Sequence, residues 1–272
     1  HVRSRRQRQM CIRDRSLRFD LTVPLARYVA EHFSDLNFPF KRYHIGKVYR
    51  GERNQKGRYR EFYQCDIDII GHNKLAIEND AIPPRVIYEI FEKLDTPDVS
   101  FRINNRKLLN GFFESLGIDN TTEVLRLIDK KDKIGLENMK EDLIKILDSE
   151  RAEKIVSFIE AGNSNQETLD KFAGLVENDL YEEGLKELNT VYKYMIKLGI
   201  PDANIKLDPS ITRGLDYYTG TVYETFINGY EKIGSVSSGG RYEKLADNFT
   251  KQALPGVGMS IGLTRLFYQL KE

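Results

Sequence analysis

The stretch KRYHIGKVYRGERNQKGRYREFYQCDIDIIG, residues 41–71, decides the fold. Between Tyr59 and Ile70 its residues alternate. Tyr59, Tyr63, Cys65, Ile67 and Ile69 are mostly apolar, whereas Arg60, Phe62, Gln64, Asp66 and Asp68 are mostly polar or charged. A period of two predicts a strand with one face on the core and the other lining something wet. Residues 42–50 form a second strand candidate, and residues 51–57 a polar connection with a glycine at each end. Together they predict an antiparallel hairpin with Arg50 and Glu52 at its loop and Arg58 just across it. Charged hairpins usually face solvent, so this one gains meaning only from what accompanies it.

The companion is RGLDYYTG, residues 213–220, which holds an arginine, a carboxylate and two adjacent tyrosines between glycines. The following run, Thr221 to Ile227, is rich in β-branched and aromatic residues and reads as a strand. Arg213, Tyr217 and Tyr218 therefore stand where a turn feeds a sheet, a common place for a pocket wall. A salt bridge between Arg213 and Asp216 is the structural alternative. The glycines of Gly239-Gly240 and of Gly256, Gly258 and Gly262 do not form a P-loop. They suit places where strand backbone approaches a neighbour closely.

These segments resemble the catalytic domain of the histidyl-tRNA synthetase family of class II aminoacyl-tRNA synthetases. The Arg50-Gly-Glu52 loop with the strand at 58–64 is similar to the second class motif, and RGLDYYTG and SGGRY (residues 238–242) to the two histidine-specific motifs. GVGMSIG (residues 256–262) with Arg265 is similar to the third, and LRFDLTVP (residues 17–24) also fits. The order is preserved over about residues 17 to 272. One departure is Thr264, which stands where the family usually has glutamate. The resemblance implies an α+β fold: an antiparallel sheet flanked by helices, with a helical insertion.

It also implies ATP-dependent activation of histidine to histidyl-adenylate, followed by transfer to tRNA(His), with Mg2+ accompanying ATP. Arg50, Arg213 and Arg265 would be the catalytic cations. Arg50 would bridge the amino-acid carboxylate and the α-phosphate, Arg213 would face the same phosphate, and Arg265 would hold the γ-phosphate. Asp68 would accept from the imidazole and Tyr218 would contact its other nitrogen. Asp20, Thr22, Gln64 and Tyr217 would hold the α-amino group and line the pocket. Phe62 would stack on adenine, with Arg58 reaching the phosphates and Glu52 beside the nucleotide; no protein side chain is assigned to a metal. The alternative is a histidine-sensing, non-catalytic paralogue, such as the regulatory subunit of ATP phosphoribosyltransferase.

Composition sets broad limits. At 272 residues and 40% hydrophobic content, the chain can bury a sizeable core. Two cysteines, Cys11 and Cys65, without paired spacing argue against a disulfide framework or a zinc site and fit a reducing cytoplasm. No apolar run reaches membrane-spanning length. Residues 1–16 hold six arginines and one aspartate, a surplus of +5, so the net charge of +1 leaves −4 for the rest. That segment lacks the apolar core of a signal peptide, and is expected to be foreign or disordered.

The expected organisation is catalytic residues 17–120, a charged helical insertion at 121–200, and catalytic residues 201–272. In the family the insertion approaches the acceptor arm of tRNA. The family's first motif, which builds a homodimer interface, and its C-terminal anticodon-binding domain are not found, so a fragment is expected. Because donors that act in the transition state are worth roughly 3–4 kcal/mol each, Arg213→Ala should lower histidine-dependent pyrophosphate exchange by at least about two orders of magnitude with the circular-dichroism spectrum unchanged.

Overall fold

The computed structural model describes residues 11–12, 15–51, 57–212 and 217–271. The expectations for Glu52, Arg213 and Asp216 lie outside the described residues. Cys11–Ile12 (β1) and Arg15–Ser16 (β2) pair as a short ribbon. Helix α1 spans Thr22–Glu31, and the hairpin expected at 41–71 is formed by β3 (Phe40–Tyr49) and β4 (Glu61–Ile70). Next come α2 (Ile82–Lys93), β5 (Val99–Asn105) and α3 (Arg106–Ser115). Pro83 and Pro84 sit in the first turn of α2, where a missing N–H costs no internal hydrogen bond.

A run of helices follows: α4 (Thr121–Ile128), α5 (Lys131–Ile134), α6 (Leu136–Ile146), α7 (Ser149–Ile159), α8 (Asn165–Phe172) and α9 (Asp179–Lys197). Asp148, Ser164 and Asn178 cap α7, α8 and α9 by accepting the N–H of Arg151, Glu167 and Tyr181. The chain closes with β6 (Ile205–Leu207), β7 (Thr221–Ile227), β8 (Ser237–Tyr242), β9 (Gly256–Gly262) and α10 (Leu263–Lys271).

Seven strands form one sheet in the order β3-β4-β9-β8-β7-β5-β6. All neighbouring pairs are antiparallel except β5 and β6. The sheet is antiparallel as expected apart from this one short parallel pairing. Chain reversal through α3–α9 lets β6 return alongside β5 in the same sense, which no hairpin could do.

The two faces of the sheet serve different ends. Cys65, Ile67 and Ile69 of β4 face a large apolar core shared with α2, α3, α9 and the helices between them. Ile70 and Tyr242 on the opposite face meet Leu25, Ala26 and Val29 of α1, with Tyr217 and Tyr218 packed alongside. The expected apolar side of the strand is interrupted at its open end, where Tyr59 and Tyr63 are exposed. Phe112 of α3 stacks on Phe158 of α7 at 4.1 Å between centroids, which joins the helical segment to the sheet's core. Helices α3 and α9 touch backbone to backbone: a Cβ on Gly184 would lie 2.2 Å from the Leu108 nitrogen, and one on Gly111 would lie 2.4 Å from that of Tyr181. No helix among the described residues is long and apolar enough to cross a membrane.

Beneath β8 lies a buried ion pair. Arg241 Nη2 is 2.7 Å from Asp80 Oδ1, and the side chains are 4% and 0% exposed. Thr221 donates to the same carboxylate at 2.7 Å, and Arg241 also reaches the carbonyls of Leu75 and Ala76. Removing one member leaves the other as an unpaired buried charge. Arg241→Met should therefore lower unfolding free energy by about 3–5 kcal/mol in denaturant titrations; a loss below about 1 kcal/mol would mean the pair is not an anchor.

Candidate active site

Alternation along β4 puts Gln64, Asp66 and Asp68 on one face, and neighbouring strands and α1 bury all three. Asp68 is 2% exposed and well partnered. Arg42, directly opposite on β3, donates Nε and Nη2 to its Oδ2 at 3.2 and 3.0 Å. The Tyr242 hydroxyl, two strands away on β8, donates to Oδ1 at 2.9 Å. That reach crosses β9 at Gly258, where a Cβ would stand 2.3 Å from Asp68 Oδ1. Glycine is required there for space, in keeping with the close approach expected of the 256–262 series. Arg42 also donates to the Leu21 carbonyl at 2.8 Å and contacts His44 Nδ1 at 2.9 Å, so its guanidinium ties the start of α1 to the sheet.

The segment before α1 runs beside β3, with Tyr49 N–H donating to the Arg18 carbonyl at 2.9 Å. Asp20 is thereby carried to the edge of the same face, where its Oδ1 accepts from the Val23 N–H at 2.9 Å. Thr22 follows and hydrogen-bonds the Tyr217 hydroxyl, which in turn bonds Tyr218. The two tyrosine rings meet edge-on at 4.9 Å, and Tyr217 meets Tyr242 the same way at 6.0 Å. Thr22, Asp66, Asp68, Tyr218, Tyr242 and Ser260 wall a small space of about 20 Å3. Burial pushes the phenols of Tyr217 and Tyr218 up, so both remain neutral donors.

At the open end of β4, Arg50 lies between two rings, 4.7 Å from the centroid of Phe19 and 5.1 Å from that of Phe62. It donates Nε to the Phe19 carbonyl at 3.2 Å and Nη2 to Gln64 Oε1 at 3.4 Å. Gln64 Nε2 continues to Ser260 Oγ at 2.7 Å. Arg265, in the first turn of α10, donates to the Ser235 carbonyl at that same end of the sheet. Thr264 accepts the Tyr63 N–H at 3.0 Å and extends the β4–β9 ladder by one rung. Arg58 is exposed beside Gly57. The structure thus brings together Asp20, Thr22, Arg50, Gln64, Asp68, Tyr217 and Tyr218 around one face, with Phe62, Arg58 and Arg265 at its open end.

A family profile described as histidyl-tRNA synthetase matches residues 8–266. This chain belongs to the histidyl-tRNA synthetase family. It is 57% identical over 262 residues to the histidine--tRNA ligase of Finegoldia magna, covering 96% of this chain and 61% of that relative. The crystal structure of histidyl-tRNA synthetase from Nostoc sp. PCC 7120 superposes with a TM-score of 0.88 at 46% identity, covering 94% of this chain and 60% of that one. The chain thus spans about 60% of the length of the relatives it matches. A Bacillus halodurans C structure titled as an ATP phosphoribosyltransferase regulatory subunit/histidyl-tRNA synthetase gives a TM-score of 0.78 at 21% identity. It covers 93% of this chain and 64% of that one, and at that identity the likeness concerns the fold alone.

Within this histidyl-tRNA synthetase family member, sequence reasoning passed over Arg42, Asp66, Tyr242 and Ser260. Their signal was register: Arg42 faces Asp68, Asp66 faces Ser260, and Gly258 faces both Asp68 and Gly240. Asp68 sits on an interior strand with an arginine and a tyrosine as partners. Burial pushes the Asp68 carboxyl up, while Arg42 and Tyr242 pull it back down. Asp66 is pushed up to about 7, first by burial and then by the charge of Asp68; the Ser260 hydroxyl and Arg42 oppose this.

A carboxyl raised in the fold favours folding while it is protonated, and that contribution is lost as the pH climbs from the unfolded value toward the folded one. For Asp66 the window runs from 3.8 to about 7. The melting temperature of Asp66→Asn relative to the parent should therefore rise across this interval and level off above it. A difference independent of pH would show that Asp66 is not held neutral by its surroundings.

Proposed function

We propose that this chain forms the amino-acid-activating core of a histidine--tRNA ligase. It would join histidine to ATP as histidyl-adenylate, then pass the histidyl group to tRNA(His). The observation that carries the reading is the position of Arg50. Its guanidinium is fixed between Phe19 and Phe62 and bonded to Gln64, between the buried carboxylates of β4 and the basic open end of the sheet.

In the first step an oxygen of the histidine carboxylate attacks the α-phosphorus, and the bond from that phosphorus to the bridging oxygen of pyrophosphate breaks. Two anions must approach, so fixed positive charge matters more than a base. Arg50 would span the carboxylate and the α-phosphate. Its stacking on two rings and its bond to the Phe19 carbonyl hold it ready at little cost in side-chain freedom. Arg265 would meet the γ-phosphate, with Arg58 nearby and Arg213 on the far side of the α-phosphate. Adenine would stack on the ring face of Phe62 turned away from Arg50, with Glu52 beside it. Mg2+ would arrive with the triphosphate, held chiefly by phosphate oxygens.

The imidazole would lie against Asp68, and Asp20, Thr22, Gln64 and Tyr217 would receive the ammonium end. A pocket built of buried polar groups rejects apolar amino acids, because each group left unpaired costs about 1–3 kcal/mol. The helical segment 121–200 would face the acceptor arm of tRNA. Replacing Arg50 tests the central role. Arg50→Ala should reduce histidine-dependent pyrophosphate exchange by about 100-fold or more while leaving calorimetric histidine binding measurable. An Arg50→Ala protein with parental exchange, or exchange dependent on a different amino acid, would rule the assignment out.

A further inference from the structure

Asp68 and Asp66 point from the same face of β4 into one enclosed space, but only one of them is satisfied. Both oxygens of Asp68 already accept from protein donors, Arg42 and Tyr242. Asp66 Oδ1 is buried and has no hydrogen-bond partner among the described residues, although the residue is only 4% exposed. A buried carboxyl oxygen without a partner is costly and points to a group not belonging to the chain. On the other side of Asp66, Gln64 donates to Ser260 Oγ, which leaves the Ser260 hydroxyl proton for the Asp66 carboxyl.

The ligand expected in this space is a neutral imidazole, which offers one N–H and one lone pair. A phenol such as Tyr218 can donate or accept, so it does not by itself fix which ring nitrogen keeps the proton. One ionised carboxylate and one protonated carboxyl do fix it, because the first accepts from the ring N–H and the second donates to the lone pair. We propose that Asp66 is a second specificity-determining residue for histidine: its Oδ1 meets the ring nitrogen that Asp68 does not, donating to the lone pair while Asp68 accepts from the ring N–H. This rests on the histidine-activating reading above.

The groups facing Asp66 agree with that division. From β3 come His44, directly opposite, and Arg42, whose Nη1 contacts His44 Nδ1. Burial and the charges of Arg42 and Arg18 lower His44, so it stays neutral and adds no cation beside Asp66. Arg42 is engaged with Asp68. Asp20 and Asp68 add negative charge, Tyr218 and Tyr242 are neutral phenols, and Ser260 contributes a hydroxyl. Proton retention therefore falls to Asp66, the carboxyl without a paired cation. The present volume of about 20 Å3 suits about one water molecule, so the ring enters as the lining side chains part.

Titration calorimetry with L-histidine on the whole chain decides the matter, run in buffers of different ionisation enthalpy between about pH 7 and about pH 8.5. The parent should take up close to one proton per histidine at the upper end, and its affinity should fall by about 10-fold across the range. Asp66→Asn, which keeps a donor but cannot ionise, should bind with no proton uptake and an affinity flat to within about 2-fold. Asp66→Ala should bind about 10-fold or more weakly at about pH 7. No proton uptake by the parent, an unchanged pH slope in Asp66→Asn, or parental affinity in Asp66→Ala would each overturn the proposal and leave the histidine-activating reading standing. A parent chain that binds no histidine at any pH would overturn both.

Discussion

The arrangement turns on how one buried carboxylate is neutralised. Asp68 is almost without solvent, and a lone charge there would be prohibitive. Arg42 supplies the countercharge from one side and the Tyr242 hydroxyl a further donor from the other. These contacts fix the register of β3 on β4, require a glycine on β9, and set how far β8 stands from β4. The remaining donors of Arg42 fasten the entry of α1 to the sheet. The pocket wall, the covering helix and four strands thus answer to a single charge.

The sheet divides its labour by face. One side is packed with aliphatic and aromatic side chains from helices that continue into the 121–200 segment. The other carries carboxylates, hydroxyls and phenols beneath a thinner cover of α1 and Tyr217–Tyr218. Because successive residues of a strand point opposite ways, apolar Ile67 and Ile69 hold the strand down while Asp66 and Asp68 line the cavity on the other face. Core packing and pocket lining are interleaved along one decapeptide, β4.

Much of this was legible in the sequence, and the limits have physical causes. The hairpin and the strand at 221–227 follow from periodicity and turn residues. Alternation also singled out the face bearing Gln64 and Asp68. It could not reveal which residue lies opposite which, since pairing is a property of two strands. For that reason Arg42 and Tyr242 went unassigned and Asp66, with its unpartnered Oδ1, was passed over. Tyr59 and Tyr63 read as core because they obey the period, yet both are exposed. The parallel β6 has only three residues, too few for any pattern to declare itself.

The glycine contact between α3 and α9 bears on how the helical segment could move. With backbone lying on backbone at Gly111 and Gly184, no layer of side chains separates the two helices to slide or repack. The roots of the excursion are welded to the sheet. Any swing toward a large partner must hinge farther out, among the short helices α4 to α8, and it would leave the cavity beside Asp66 and Asp68 undisturbed.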